Sequence, residues 1–169
     1  MMHRKLPVAM LGAAAALALA LSPSAALAGQ HHHRHGHNLL RADLTPSMPT
    51  DAPINGVNPG GAPWIISRGE VRVRDNGRMD VRIQGLQIPR NGAADNPIAS
   101  IDAVLYCGGV MAADSGPQPM SVPGGDARFR VFLTVPETCD AATVLIQPVL
   151  PPPTVVYIAS AMAMADDED

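Results

Sequence analysis

The sequence predicts an all-β fold: a single β-sandwich or open barrel of six to seven short strands, with one disulfide and a disordered N-terminal tail. Three observations predict it. From Trp64 onward, short apolar runs alternate with polar residues at period two, the signature of half-buried strands. Turns rich in Pro, Gly and Asn separate these runs. No window carries the 3.6-residue periodicity of a helix, so the strands must pack on one another.

The first 28 residues read as an export signal. His3, Arg4 and Lys5 form a basic start, and "VAMLGAAAALALAL" is an apolar run of signal-peptide length. "SPSAALA" follows, with Ala26 and Ala28 in the small-residue positions that a signal peptidase reads, so cleavage is expected after Ala28. A retained anchor is the alternative, but the run is short for a bilayer span of roughly 20 residues. There is no Cys at the cut to carry a lipid and no adjacent Arg pair, which favours the general secretory route. The expected product is a secreted chain of 141 residues, the 169 of the full chain less the 28 of the leader. That length suits one domain.

Losing Arg4 and Lys5 leaves 10 arginines and no lysine against 15 acids, so the formal charge moves from −3 to −5. A chain of that sign has no electrostatic case for nucleic acid or anionic lipid. Neither partner is expected, nor a membrane once the leader is removed.

Within the mature chain, residues 29–38 form the polar, histidine-rich tail. Residues 39–63 are a lead-in segment. It has a weak strand at 39–44 and then "TPSMPTDAPINGVNPGGAP", which is irregular. The β-domain spans 64–165, and "DDED", 166–169, is an acidic C-terminal tail. Such an end attracts cations or is simply solvated.

The clearest element is the hairpin "GEVRVRDNGRMDVRIQGLQI". A two-residue Asn76-Gly77 turn would set Val73 opposite Asp80 and mix the two faces, which the pleat disfavours. A three-residue loop, Asp75-Asn76-Gly77 with Gly77 left-handed, sets Val73 against Met79 and Val71 against Val81. It also pairs Arg72 with Asp80 and Glu70 with Arg82, at the cost of Arg74 near Arg78. Further strands follow in "PIASIDAVLYC", "ARFRVFLTV", "ATVLIQPV" and "TVVYIASAMAM". Turns are expected at "RNGAADNP", "GGDA" and "PPP".

Cys107 and Cys139 are the only cysteines. Outside the cell a lone pair is expected to form a disulfide. Free thiols for redox or metal chemistry are the alternative, although neither Cys lies in a C-x-x-C motif. The pair is too close in sequence, and lacks the intervening Trp, for an immunoglobulin domain.

"GVNPGGAPWIISRGEVRVRDNGRMDVRIQGLQIP", "LYCGG" and "GDARFRVFLTVP", with its following Cys, resemble a group of small exported proteins of actinobacteria. The resemblance spans roughly residues 44–160 and does not extend to the histidines. It implies secretion and a β-rich domain, and no particular activity.

Catalysis is not expected. After residue 38 there is no His and no Lys, and no G-x-S-x-G, P-loop or H-E-x-x-H occurs. Acid–base work would fall to carboxylates alone. A paired-carboxylate glycosidase would have few aromatics to line its sugar cleft: Trp64, Tyr106, Tyr157, Phe129 and Phe132.

The metal chemistry lies in "GQHHHRHGH". His31, His32, His33, His35 and His37 suit Cu(II), Ni(II) or Zn(II). Cleavage after Ala28 adds a positional site. The α-amine of Gly29, the amides of Gln30 and His31 and the His31 imidazole form a square-planar nitrogen set. That set resembles the amino-terminal copper- and nickel-binding motif. Cleavage one residue later would destroy it by exposing Gln30, which cyclises. The same histidines would also gain charge near pH 6 and reduce self-repulsion.

Other candidates have plainer alternatives. The 110–126 loop offers Gln118, Pro119 and Met120 to an extracellular protein partner, or is an ordinary strand connection. Trp64 is a contact residue or, preferably, a lid on the core. Met162 and Met164 share a strand face and suit Cu(I) or fill the core. Gly108-Gly109 marks a turn or bulge.

Overall fold

The computed structural model describes residues 37–90 and 92–163, and among them there is no helix. The described residues form fourteen strands or strand fragments. They are β1 (Asn38–Asp43), β2 (Thr45–Pro46), β3 (Asn58–Pro59), β4 (Arg68–Arg74), β5 (Arg78–Gln84), β6 (Ile88–Arg90) and β7 (Ala93–Asp95), then β8 (Ser100–Cys107), β9 (Val110–Asp114), β10 (Gln118–Pro119), β11 (Ala127–Phe132), β12 (Thr143–Pro148), β13 (Val156–Tyr157) and β14 (Ala159–Met162). Six of these are fragments of two or three residues, and β9 lies in a segment expected to be a loop, which is why they exceed the six or seven expected.

Two open antiparallel sheets form a sandwich, not a barrel. One has the order β1-β4-β5-β11. The other runs β10-β8-β12-β14-β2, with β9 also pairing with β8. The chain changes sheets at Leu44, whose N–H donates to Gly69 in the first sheet; three residues on, Ser47 N–H donates to Ile158 beside the second. Leu44 itself is buried.

The β4–β5 hairpin has the expected register. Val73 faces Met79, Val71 faces Val81, Arg72 faces Asp80 and Glu70 faces Arg82. Gly77 closes the loop at φ +82°, a conformation that disfavours any residue with a Cβ. A Cβ there would also run into the Leu133 carbonyl.

Alternation then builds the core. Val71, Val73, Met79, Val81 and Ile83 face inward from the first sheet. Ile101, Ala103, Leu105, Val144, Ile146, Ala159 and Ala161 meet them from the second. Phe129 and Val131 on β11 are half-buried against the same cluster, as their parity predicts. Trp64 is 4 % exposed and joins this cluster, as a lid should.

The second sheet is covered on its other face too. Val104, Tyr106, Leu145 and Tyr157 form a separate buried cluster with Val57, and Ile54 packs against it. The proline-rich lead-in segment supplies that cover. Tyr157 donates its hydroxyl to the Ala52 carbonyl at 3.1 Å, and Ser47 Oγ donates to the Tyr157 carbonyl at 3.2 Å. A strand buried on both faces needs no polar alternation, which accounts for the continuous "TVLI" of β12.

Two other segments differ from expectation. "RNGAADNP" is not a plain turn, because it contributes to a small hairpin of β6 and β7. Met162 does not fill the core: it is 52 % exposed, and Met164 lies outside the described residues.

Cys107 and Cys139 are disulfide-bonded. The bond ties the end of β8 to the 136–142 loop, where Gly108 N–H also donates to Asp140. Replacing both cysteines by Ala should cost about 3–4 kcal/mol in the chain-entropy picture, read from urea unfolding. Gly77→Ala should cost at least about 1–2 kcal/mol from handedness alone, with more from the overlap with Leu133. A glycine-like midpoint for that variant would show that the hairpin loop differs from the one described.

Candidate functional site

Of the metal-binding histidines expected from sequence, only His37 belongs to the described residues; Gly29, Gln30, His31, His32, His33 and His35 lie outside them. His37 is exposed, and its carbonyl accepts the Asp75 N–H at 2.9 Å, next to the first ladder position of β1. Among the described residues no group of three or more His, Cys, Asp or Glu is placed to hold a metal ion. The 110–126 segment is not a free loop. β9 and β10 both pair with β8. Met120 is buried and Gln118 half-buried, so of the three expected contact residues only Pro119 is exposed.

A different surface stands out: the outer face of the β1-β4-β5-β11 sheet. The pleat that sends valines inward sends arginines outward. β1 presents Arg41. β4 presents Arg68, Arg72 and Arg74. β5 presents Arg78 and Arg82, and β11 presents Arg128 and Arg130. Eight of the ten arginines after Ala28 therefore share one sheet face.

Register sorts these charges into rows. Arg41, Arg72, Asp80 and Arg130 lie across the sheet in one row. Asp43, Glu70, Arg82 and Arg128 form the next. Asp80 is held on two sides: it accepts from Arg78 Nε at 2.8 Å and Nη2 at 3.1 Å, and from Arg130 Nε at 2.6 Å. These bonds, that to Arg78 foremost, hold its carboxyl down at about 2. Glu70 lies 3.4 Å from Arg41 and 3.9 Å from Arg72.

The second row is less balanced. Arg82 and Arg128 are directly opposite one another, and both are exposed. Among the described residues no carboxylate comes within 4.0 Å of either, nor of Arg68 or Arg74. Like charges facing each other across a ladder are unfavourable. Two adjoining open depressions mark this face. One, of about 460 Å³, is lined by Arg68, Glu70, Arg82, Gln84, Asp126 and Arg128. The other, of about 600 Å³, spans Arg41, Arg72, Asp80 and Arg130. At the end of the first, Asp126 is occupied by the Gly85 N–H at 2.9 Å and the Ser121 hydroxyl at 3.4 Å.

Sequence reasoning saw the Arg–Glu and Arg–Asp pairs of one hairpin and missed this face. The available signal was the alternate-position arginine in "RGEVRVR", "RMDVRIQ" and "ARFRVF". What it lacked was the pairing of β11 with β5. On the other sheet, burial, with Asp114 as the lesser cause, pushes the Asp102 carboxyl up, and its Oδ1 has no hydrogen-bond partner.

No family model, curated protein or solved structure matches this chain.

Asp80 makes acid stability testable. Its carboxyl is held at about 2, below the ordinary aspartate range, so its contribution is complete above about pH 4 and is lost as pH falls toward 2. Asp80→Asn should flatten the urea-midpoint profile between pH 5 and pH 2. A profile as steep as that of the native protein would assign the loss to other groups.

Proposed function

We propose that this protein is an exported, non-catalytic binding protein whose histidine-rich N-terminal run captures Cu(II), Ni(II) or Zn(II). One observation carries the reading. Five of the six histidines fall in residues 31–37, immediately before β1, and none follows. A chain that keeps its imidazoles in one short run concentrates there the ligands that suit Cu(II), Ni(II) and Zn(II). Gly29-Gln30-His31 adds the amino-terminal square-planar set once the leader is cut after Ala28.

The non-catalytic reading has its own support. The best-engaged carboxylates, Asp80 and Asp95, are countercharges for arginine. A carboxylate held near 2 does not shuttle protons at neutral pH. Export is supported by the leader-like start and by a disulfide, which persists in oxidising compartments.

Calorimetric titration of the mature chain with Cu(II), Ni(II) and Zn(II) tests the proposal. The expected result is micromolar or tighter binding that disappears when residues 29–37 are deleted. Micromolar binding by the deleted protein would overturn it. Adding one residue before Gly29 should abolish the square-planar Cu(II) absorption band and leave the looser Zn(II) binding. The N-terminal sequence of the exported protein should begin at Gly29.

A further inference from the structure

We propose that the outer face of the β1-β4-β5-β11 sheet binds an acidic polysaccharide, with Arg82 and Arg128 as its central clamp. The proposal rests on the folded face and is independent of the histidine run.

The ligand class follows from the donors and acceptors present. Arg82 and Arg128 stand opposite each other on neighbouring strands, which brings their Cβ atoms to about 5 Å. Two guanidinium forks at that spacing converge on one carboxylate or sulfate, each able to donate two hydrogen bonds. Arg68 lines the same depression from β4. Arg72 and Arg74 on β4, and Arg128 and Arg130 on β11, stand two residues apart along their strands, about 6.8 Å. The face thus offers successive anion positions, as a linear polymer with spaced acidic groups requires. It uses arginine throughout, the side chain whose planar fork matches an oxyanion.

The acids on this face narrow the class. Asp43, Glu70 and Asp80 interrupt the arginines. They would repel a closely spaced phosphate backbone, but they accept hydrogen bonds from sugar hydroxyls. Nucleic acid also binds by base stacking on aromatic rings. The only ring on this outer face is Phe132, at the end of β11 and 73 % exposed. A neutral sugar would want such rings too, whereas a uronate or sulfated sugar is held by the guanidinium groups. The mature charge of −5 does not argue against this, because charge acts through its distribution at short range. Arg82 and Arg128 face each other, with Glu70 across the ladder from Arg82 but no carboxylate within 4.0 Å of either among the described residues, and a bound anion relieves that like-charge contact.

The test uses the full mature chain at pH 8, where ordinary imidazoles are neutral. Three probes are titrated at 0.15 M salt: a heparin oligosaccharide, an oligogalacturonate and single-stranded DNA. The expected result is binding of at least one of the two glycans in preference to DNA. Arg82→Gln combined with Arg128→Gln should weaken that binding at least about tenfold and reduce the dependence on salt. The same double variant should remain folded, as its circular dichroism and cooperative melting would show, because both side chains are exposed. Arg90→Gln, whose side chain pairs with Asp95 on the β6–β7 hairpin, should bind as the native protein does. Three results would each overturn the proposal: no glycan binding, glycan binding unchanged in the double variant, or DNA binding as tight as the better glycan.

Discussion

The register of the β4–β5 hairpin is the constraint on which the rest depends. One loop, Asp75-Asn76-Gly77, decides which residues of two strands meet, and the pleat converts that decision into two surfaces at once. Valines, Met79 and Ile83 go to the core, and the charged residues go to solvent. A slip of one residue would exchange the two sets. It would bury arginines where the second sheet brings Ile101, Leu105 and Ile146. The energetic penalty is so one-sided that register, core and charged face form a single choice. β1 and β11 extend the choice outward, each adding a strand in phase with the hairpin.

The two sheets handle their outer faces in opposite ways. The second covers itself: the proline-rich segment before Trp64 lies over Tyr106, Leu145 and Tyr157 and is anchored through Ser47 and Ala52. Proline and glycine suit that role. A covering chain that is not a full strand must satisfy its backbone with scattered bonds, and each proline has one donor fewer to satisfy. The first sheet stays open and meets water with guanidinium and carboxylate groups. An antiparallel sheet with one wet face needs alternation, and its strands alternate. The doubly covered β12 does not.

That contrast explains how much could be read in advance. The hairpin register was legible because three local facts agreed: parity, turn chemistry and cross-strand charge. The cysteine pairing was legible because only one pairing exists. The cover over the second sheet was not, since residues 45–63 show no period and their contacts with Tyr157 span more than a hundred positions. Met120 was misleading for a similar reason. It stands in a polar, proline-bearing stretch, yet its N–H donates to the Ala99 carbonyl and its side chain turns into the core. Tertiary packing decides such positions, and no local pattern announces it.

The arginine face was hidden by arithmetic. A formal charge of −3 averages a basic sheet face with acids elsewhere, including those at 166–169. Screening confines each charge to about 8–10 Å at physiological salt, so a ligand on the face responds to the nearby rows and hardly to distant acids. Solubility alone would be served by mixed charges, or by lysine. The face does mix its charges, since Asp43, Glu70 and Asp80 stand among the arginines, but lysine is absent after Lys5, and Arg82 and Arg128 face each other with no acid within ion-pair distance among the described residues. Two guanidinium forks set face to face match an oxyanion, and that match is the ground on which the glycan site is proposed.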